Sequence, residues 1–238
     1  MSSSEILEKA EKWFEDVIAK NHISNTQKLK NANEFKVNPF LLSYLANFFE
    51  GQATPHSIAK ALIYPRVMGT SINTSFGQNF QSFISTALKA YGSTTSGIDI
   101  EFTDTIDGRK KYCQVKAGPQ TINKDDIITV SNHFKSIRNL ARTNNLSISQ
   151  DDLIVGVLYG EENQLSAHYK AIRDNHFYPV HVGQVFWHRL TGDSDFYNKL
   201  ISTFQNVARK IDGREILEDT INKLASSNEV KAIMDSLK

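Results

Sequence analysis

The stretch "SGIDIEFTDTIDGRKKYCQVKAGP", residues Ser96–Pro119, decides how the rest of the chain is read. From Gly97 the apolar residues Ile98, Ile100 and Phe102 alternate with Asp99, Glu101 and Thr103, the two-residue period of a half-buried strand. Asp107-Gly108 is a strong hairpin signal, because both residues tolerate the positive φ of a type I′ turn. The return strand is "RKKYCQVKA". A two-residue loop pairs Ile106 with Arg109 and, continued outward, sets Asp99 opposite Lys116 and Glu101 opposite Gln114. Opposed residues have Cβ atoms about 4.5–5.5 Å apart, and the alternation puts these four polar side chains on one face. Cys113, Val115 and Ala117 point the other way with Ile98, Ile100 and Phe102, toward a core.

An aspartate, an amide and a lysine on one strand face suit phosphodiester hydrolysis. That reaction needs a divalent ion to neutralise phosphate charge and acidify a bound water, with a positive group near the attacking oxygen. Mg²⁺ is satisfied by one or two carboxylates, a carbonyl and several waters. Asp99 supplies a carboxylate, Val115 a backbone carbonyl beneath a buried side chain, and Lys116 the charge. Gln114 stands between them as a neutral oxygen ligand. An amide binds the ion more weakly than a carboxylate, and Glu101, its expected cross-strand neighbour, is the group placed to compensate. On this reading Asp99→Ala abolishes cleavage and Gln114→Glu retains it.

Outside the hairpin the chain reads as helices and a few strands. Ile6, Leu7, Trp13, Phe14, Val17 and Ile18 recur at helical spacing from Ser4 to about Asn21. "NPFLLSYLANFFEG" predicts a helix after Asn38-Pro39 that stops near Gly51. "TPHSIAKALIYPRVMG" predicts a third, cut short before Pro65, and "FGQNFQSFISTALKAYG" a fourth ending at Gly92. Beyond the hairpin, Asn123 caps a long helix, and "DDLIVGVLYG" is a strand buried on both faces. "LSAHYKAI" and "FYPVHV" read as further strands, "GQVFWHRLTG" as a short helix, and Asp195–Ile211 and Arg214–Leu237 as two closing helices.

Composition narrows the function. The 238 residues are 40% apolar, enough for a large core, and 27 basic against 26 acidic side chains leave a net charge of +1. Non-specific nucleic-acid binding usually brings a clear basic excess, so any DNA contact must be local. The single cysteine, Cys113, rules out an internal disulfide and a thiolate metal cage. The seven histidines, His176, His181 and His188 among them, lack metal-ligand spacing, and the absence of a glycine-rich phosphate loop speaks against a nucleotide cofactor. No run approaches the roughly 18 apolar residues of a membrane span, and the charged N-terminal segment is unlike a secretory leader; a cytoplasmic location is expected. Lys135, Arg138 and Arg142 share a helix face that could meet phosphates or simply water. Gln78, Asn79 and Gln81 lie on the helix before the sheet, within possible reach of a metal or DNA. Phe186 and Trp187 read as core.

"Gly-Ile-Asp" at Gly97–Asp99 and "Gln-Val-Lys" at Gln114–Lys116 resemble the motif of the PD-(D/E)XK nucleases, with Ile98 where Pro is typical and Gln114 where an acid is. "NPFLL" at Asn38–Leu42, "YPRVMGTSINTSFGQNFQ" at Tyr64–Gln81, "QVKAGPQTIN" at Gln114–Asn123, "LIVGVLYGEENQLSAHYKAI" at Leu153–Ile172 and "VHVGQVFWHRLTG" at Val180–Gly192 extend the likeness to the PmeII-type type II restriction endonucleases.

The resemblance implies an α/β fold with a restriction-endonuclease-like central mixed β-sheet flanked by helices. It implies a Mg²⁺-dependent homodimer that cuts double-stranded DNA at a short palindromic site, relatives reading sites with GG and CC around a central base or pair. Asp99 and Lys116 become the catalytic residues, with Gln114 in the place of the third and Asp99, Gln114 and Val115 around the metal. One endonuclease domain over residues 1–238 with helical extensions is expected, the terminal helices being candidates for the dimer contact. A structure-specific repair nuclease on the same scaffold and a catalytically inactive DNA-binding module are the alternatives.

Overall fold

The computed structural model describes residues 2–236, the side chains of Pro39 and Ser236 excepted. The chain divides into two compact units, one built from the residues up to Glu11 with Phe80–Phe204, the other from Lys12–Asn79 with the chain from Gln205 on. The elements run α1 (Ser3–Trp13), α2 (Lys20–Lys28), α3 (Pro39–Glu50), α4 (Pro55–Pro65), α5 (Ile72–Ala87), β1 (Ile100–Thr103), β2 (Lys110–Lys116) and α6 (Lys124–Thr143). They continue with β3 (Leu153–Val157), α7 (Ala167–His176), β4 (Val180–Val182), α8 (Gln184–Thr191), α9 (Phe196–Lys210), α10 (Arg214–Ala225) and α11 (Asn228–Ser236). Among the described residues no helix is long and apolar enough to cross a membrane.

The sheet is mixed, in the order β1-β2-β3-β4, with β1 antiparallel to β2 and β2, β3 and β4 mutually parallel. The fold is therefore the expected α/β class. β3 is buried at every position, as its unbroken apolar run requires of an inner parallel strand. Its odd-numbered residues Leu153, Val155 and Val157 pack with Val130, Phe134 and Ile137 of α6 and Tyr169 and Ile172 of α7. On the opposite face, the backbone of Gly156 approaches Phe186 of α8 so closely that an added Cβ would lie 2.3 Å from the ring and 2.9 Å from the Cys113 sulfur. Phe186 and Trp187 are fully buried, and Trp187 meets the rings of Phe83 and Phe196, as a core reading of that pair requires.

The hairpin departs from the expected register. β1 and β2 pair Ile100 with Cys113, Glu101 with Tyr112 and Thr103 with Lys110, two residues away from the pairing a type I′ turn dictates. Only Gly108 of the dipeptide takes positive φ, at 70°. The reason is Asp104: its carbonyl receives the Gly108 N–H and its carboxylate caps Ile106, closing a longer loop. That carboxylate is buried against Arg189, and the N–H and hydroxyl of Thr105 donate to the Arg189 and His188 carbonyls, so α8 dictates the turn. An even shift keeps the paired residues of β1 and β2 on their expected faces, whereas Ile98, ahead of β1, packs with Val130 and Phe134 of α6 and not with Ile100 and Phe102 as the alternation predicts.

Other boundaries moved as well. Helix runs past Asn21, through a wide π turn at Phe14–Ala19, to Lys28. Pro65 does not stop α4: the helix widens into a second π turn, Arg66–Ser71, and continues into α5. A π turn is a common way to absorb a missing backbone donor. "LSAHYKAI" is the helix α7 rather than a strand, with Tyr169 and Ile172 one turn apart on its buried side. The last predicted helix is two, broken at Ser226-Ser227.

In the helical unit, Leu42 and Ala46 of α3, Ile58, Ala59 and Ile63 of α4, and Ile221, Leu224 and Val230 of α10 and α11 form one apolar core. α10 also packs on α2.

Candidate active site

β2 delivers Gln114 and Lys116 to the face covered by α6, and Asp99 stands just ahead of β1. Beyond the Ile100–Cys113 pair the ladder opens, and a side chain takes over where a backbone group would bond: Oδ2 of Asp99 accepts the Val115 N–H at 2.7 Å. This contact holds the Asp99 carboxylate against β2 at Val115, within the field of the Lys116 charge. Burial raises the Asp99 carboxyl above the ordinary range, offset only in part by the Val115 N–H, the Lys116 charge, a hydrogen bond from Gln81 and the field of His133. Among the described residues no lysine or arginine lies within ion-pair distance of it. A half-buried carboxylate without a cation of its own fits a divalent ion.

Gln114 is almost fully buried. Its Nε2 contacts the Gly97 carbonyl and stands 2.6 Å from Nδ1 of His133. With both amide hydrogens directed at those acceptors, Oε1 is the atom left for an ion or water. Gly97 must be glycine here: its φ is +80°, and an added Cβ would fall 2.5 Å from the His133 ring.

Lys116 is held by Asp126, Nζ to Oδ1 at 2.9 Å. Asp126 is the third residue of α6, where its other oxygen accepts the N–H of Asn123 while the Asn123 side chain caps Asp125 and Asp126. Against the effect of burial, the Asn123 N–H and the Lys116 ammonium hold the Asp126 carboxyl below its usual range. The capping box that starts α6 thus also anchors the lysine.

Glu101 shares the strand face but faces Tyr112, not Gln114. It accepts from Ser93 at 2.5 Å and Thr95 at 2.9 Å, and pairs with Lys110 at 2.6 Å. Although burial opposes it, these donors hold Glu101 below the usual carboxylate range. The idea that Glu101 compensates for Gln114 thus loses the register on which it rested. Of the amides Gln78, Asn79 and Gln81 on α5, Gln81 reaches Asp99, whereas Gln78 and Asn79 line a polar hollow of about 480 Å³ in the helical unit with Asn21, Lys28 and Arg66. Lys135, Arg138, Asn139 and Arg142 border a shallow hollow of about 270 Å³ on the outer side of α6, and Arg138 donates to Gln150 at 2.7 Å.

Sequence reading missed His133 and Asp126. The signal was present: the two are seven residues apart on α6, two turns on one face, and that face looks onto β2. Among the described residues no three His, Cys, Asp or Glu side chains gather closely enough to hold a metal by themselves. One carboxylate with neutral oxygens suits Mg²⁺, which keeps several waters and takes substrate phosphate oxygens as ligands.

The family model described as "Type II restriction endonuclease EcoO109I" matches residues 8–212, a span that holds every residue of this site. No curated protein matches the chain.

Proposed function

Because the chain belongs to the EcoO109I family of type II restriction endonucleases, it is a site-specific deoxyribonuclease, and we propose that it cuts both strands of a short palindromic DNA site by PD-(D/E)XK chemistry. One observation supports this reading: the Asp99 carboxylate is locked to the Val115 N–H, between Gln114 and Lys116 in the chain, and lies within the field of the Lys116 charge. Mg²⁺ would be held by Asp99, the Val115 carbonyl and Oε1 of Gln114. It would supply the charge that neutralises the phosphate and acidifies water.

The chain's own groups do the rest. Lys116 presents its ammonium beside the attacking oxygen, and Asp126 keeps that ammonium oriented until the phosphate arrives. His133 and the Gly97 carbonyl fix the Gln114 amide nitrogen, so that its oxygen is the atom that would be offered to the ion. Lys135 and Arg142, exposed on the outer side of α6, are positioned for backbone phosphates. A target with a GG…CC core accords with the PmeII-type likeness, and a DNA substrate places the enzyme in the cytoplasm.

Each chain carries one such centre, so two copies are needed to cut two strands, and a twofold protein matches a twofold site. The test is incubation of the purified protein with phage DNA and Mg²⁺, followed by run-off sequencing of the ends. Discrete ends at one repeated palindrome, lost in Asp99→Ala, are expected. Binding without cleavage, or equal cleavage by Asp99→Ala, would refute the proposal.

A further inference from the structure

α3 is apolar on two sides. Leu42 and Ala46 face the core of the helical unit, yet Phe40 is 90% exposed, Phe48 77% and Tyr44 62%, with Leu41, Leu45 and Phe49 each more than two-fifths exposed. Phe40, Tyr44 and Phe48 follow one another at intervals of four residues, with Leu41 and Leu45 beside them, so they form one continuous stripe. The rings of Tyr44 and Phe48 stack at 5.9 Å. The helix is rigidly defined at both ends, by the Asn38 cap with Pro39 and by Gly51 in the left-handed conformation. Along its twelve residues the single charge is Glu50 at the last position.

With about 150–250 Å² per aromatic side chain when fully accessible, the stripe offers on the order of 800 Å². That exceeds the largest apolar patch of an ordinary monomer, about 300–600 Å², and equals what one partner contributes to a standard stable interface, about 800 Å². A twofold dimer uses the same patch on both subunits, and an uncharged stripe meets its own copy without like-charge repulsion. The terminal helices offer less. Ile221, Leu224 and Val230 of α10 and α11 are already fully buried in their own unit.

We propose that the Phe40–Phe48 face of α3 is the homodimer interface, occupied by α3 of a second copy. The assignment rests on the two-centre reading above for its function, but not for its measurement. Sedimentation equilibrium of the whole protein, without DNA or metal, is expected to give twice the 26.8 kDa chain mass. The pair Phe40→Glu, Phe48→Glu, and separately Tyr44→Arg, should give the single mass with an unchanged circular dichroism melt, because these side chains make the open face rather than the core. Leu146→Glu, at an exposed apolar position elsewhere, should leave the dimer intact. On supercoiled plasmid with Mg²⁺ the monomeric variants should accumulate nicked circles where wild type gives linear DNA. A monomeric wild type, or dimers that survive all three α3 substitutions, would overturn the assignment. So would a monomeric wild type that co-sediments with phosphatidylcholine vesicles, which would give the stripe to a lipid surface. An inactive protein that dimerises through α3 would refute the nuclease reading and leave the interface standing.

Discussion

The amide nitrogen of Gln114 stands 2.6 Å from Nδ1 of His133 and in contact with the Gly97 carbonyl. Two acceptors therefore converge where an acid at position 114 would place a third.

This contact argues for a different outcome from the expectation that Gln114→Glu retains cleavage. A carboxylate would set its oxygens against a carbonyl and a ring lone pair, so the variant is expected to lose activity about ten- to a hundredfold, the range for disturbing a group that orients a metal ligand. His133→Ala should lose a similar factor by letting the amide turn, and His133→Asn, whose side-chain oxygen can accept the same proton, should recover part of it. Mg²⁺ titrations of initial cleavage rate, with calorimetric Mn²⁺ binding as a second readout, measure all three.

Asp99→Asn should abolish cleavage and raise thermal stability. The folded state holds the Asp99 proton more tightly than the unfolded chain, whose value is about 3.9, because burial raises the folded value. Wild-type stability therefore falls as pH rises through that window and stays lowered above it. Asparagine keeps an oxygen for the Val115 N–H without the charge. Melting curves at neutral pH check the direction; a lower melting temperature in the variant would contradict it.

Lys111 is 2% exposed and pairs with Asp107 at 2.7 Å and Asp152 at 3.3 Å. Asp152 also pairs with Arg109 at 2.6 Å. Asp152→Ala should cost about 3 kcal/mol, the low end for breaking a buried pair from one side, since Asp107 still serves the lysine. Urea unfolding gives the number.

His181 is pushed down to about 4, first by burial and then by Arg189 and Lys111, with Asp104 and Asp107 opposing. Its unfolded value is about 6.5, so between about pH 6.5 and 4 the unfolded chain binds the extra proton and stability falls as pH falls. His181→Gln should flatten that limb by about one proton, read from chemical denaturation midpoints across the range.

Much of the site was legible one residue at a time. Side-chain alternation put Gln114 and Lys116 together on the face that meets α6 whether the hairpin loop held two residues or four, because the register moved by an even number. The Asn123 cap was equally readable, since the groups that start a helix lie within one turn of it. The hairpin loop was not, because Asp104 and Thr105 bond to Arg189 and His188 more than eighty residues later. α7 read as a strand because a short run of mixed residues carries too little period to separate two from 3.6.

Local order along the chain, then, determined which residues alternate, where helices begin and that the amide and lysine share a face, since these depend on neighbours within a turn or two. Tertiary structure alone decided that α6 lays His133 and Asp126 over that face, that Glu101 is engaged by Ser93, Thr95 and Lys110, and that α3 keeps a row of rings in water. Those outcomes depend on contacts between segments far apart in sequence, whose approach is set by packing and not by any period a single stretch can display.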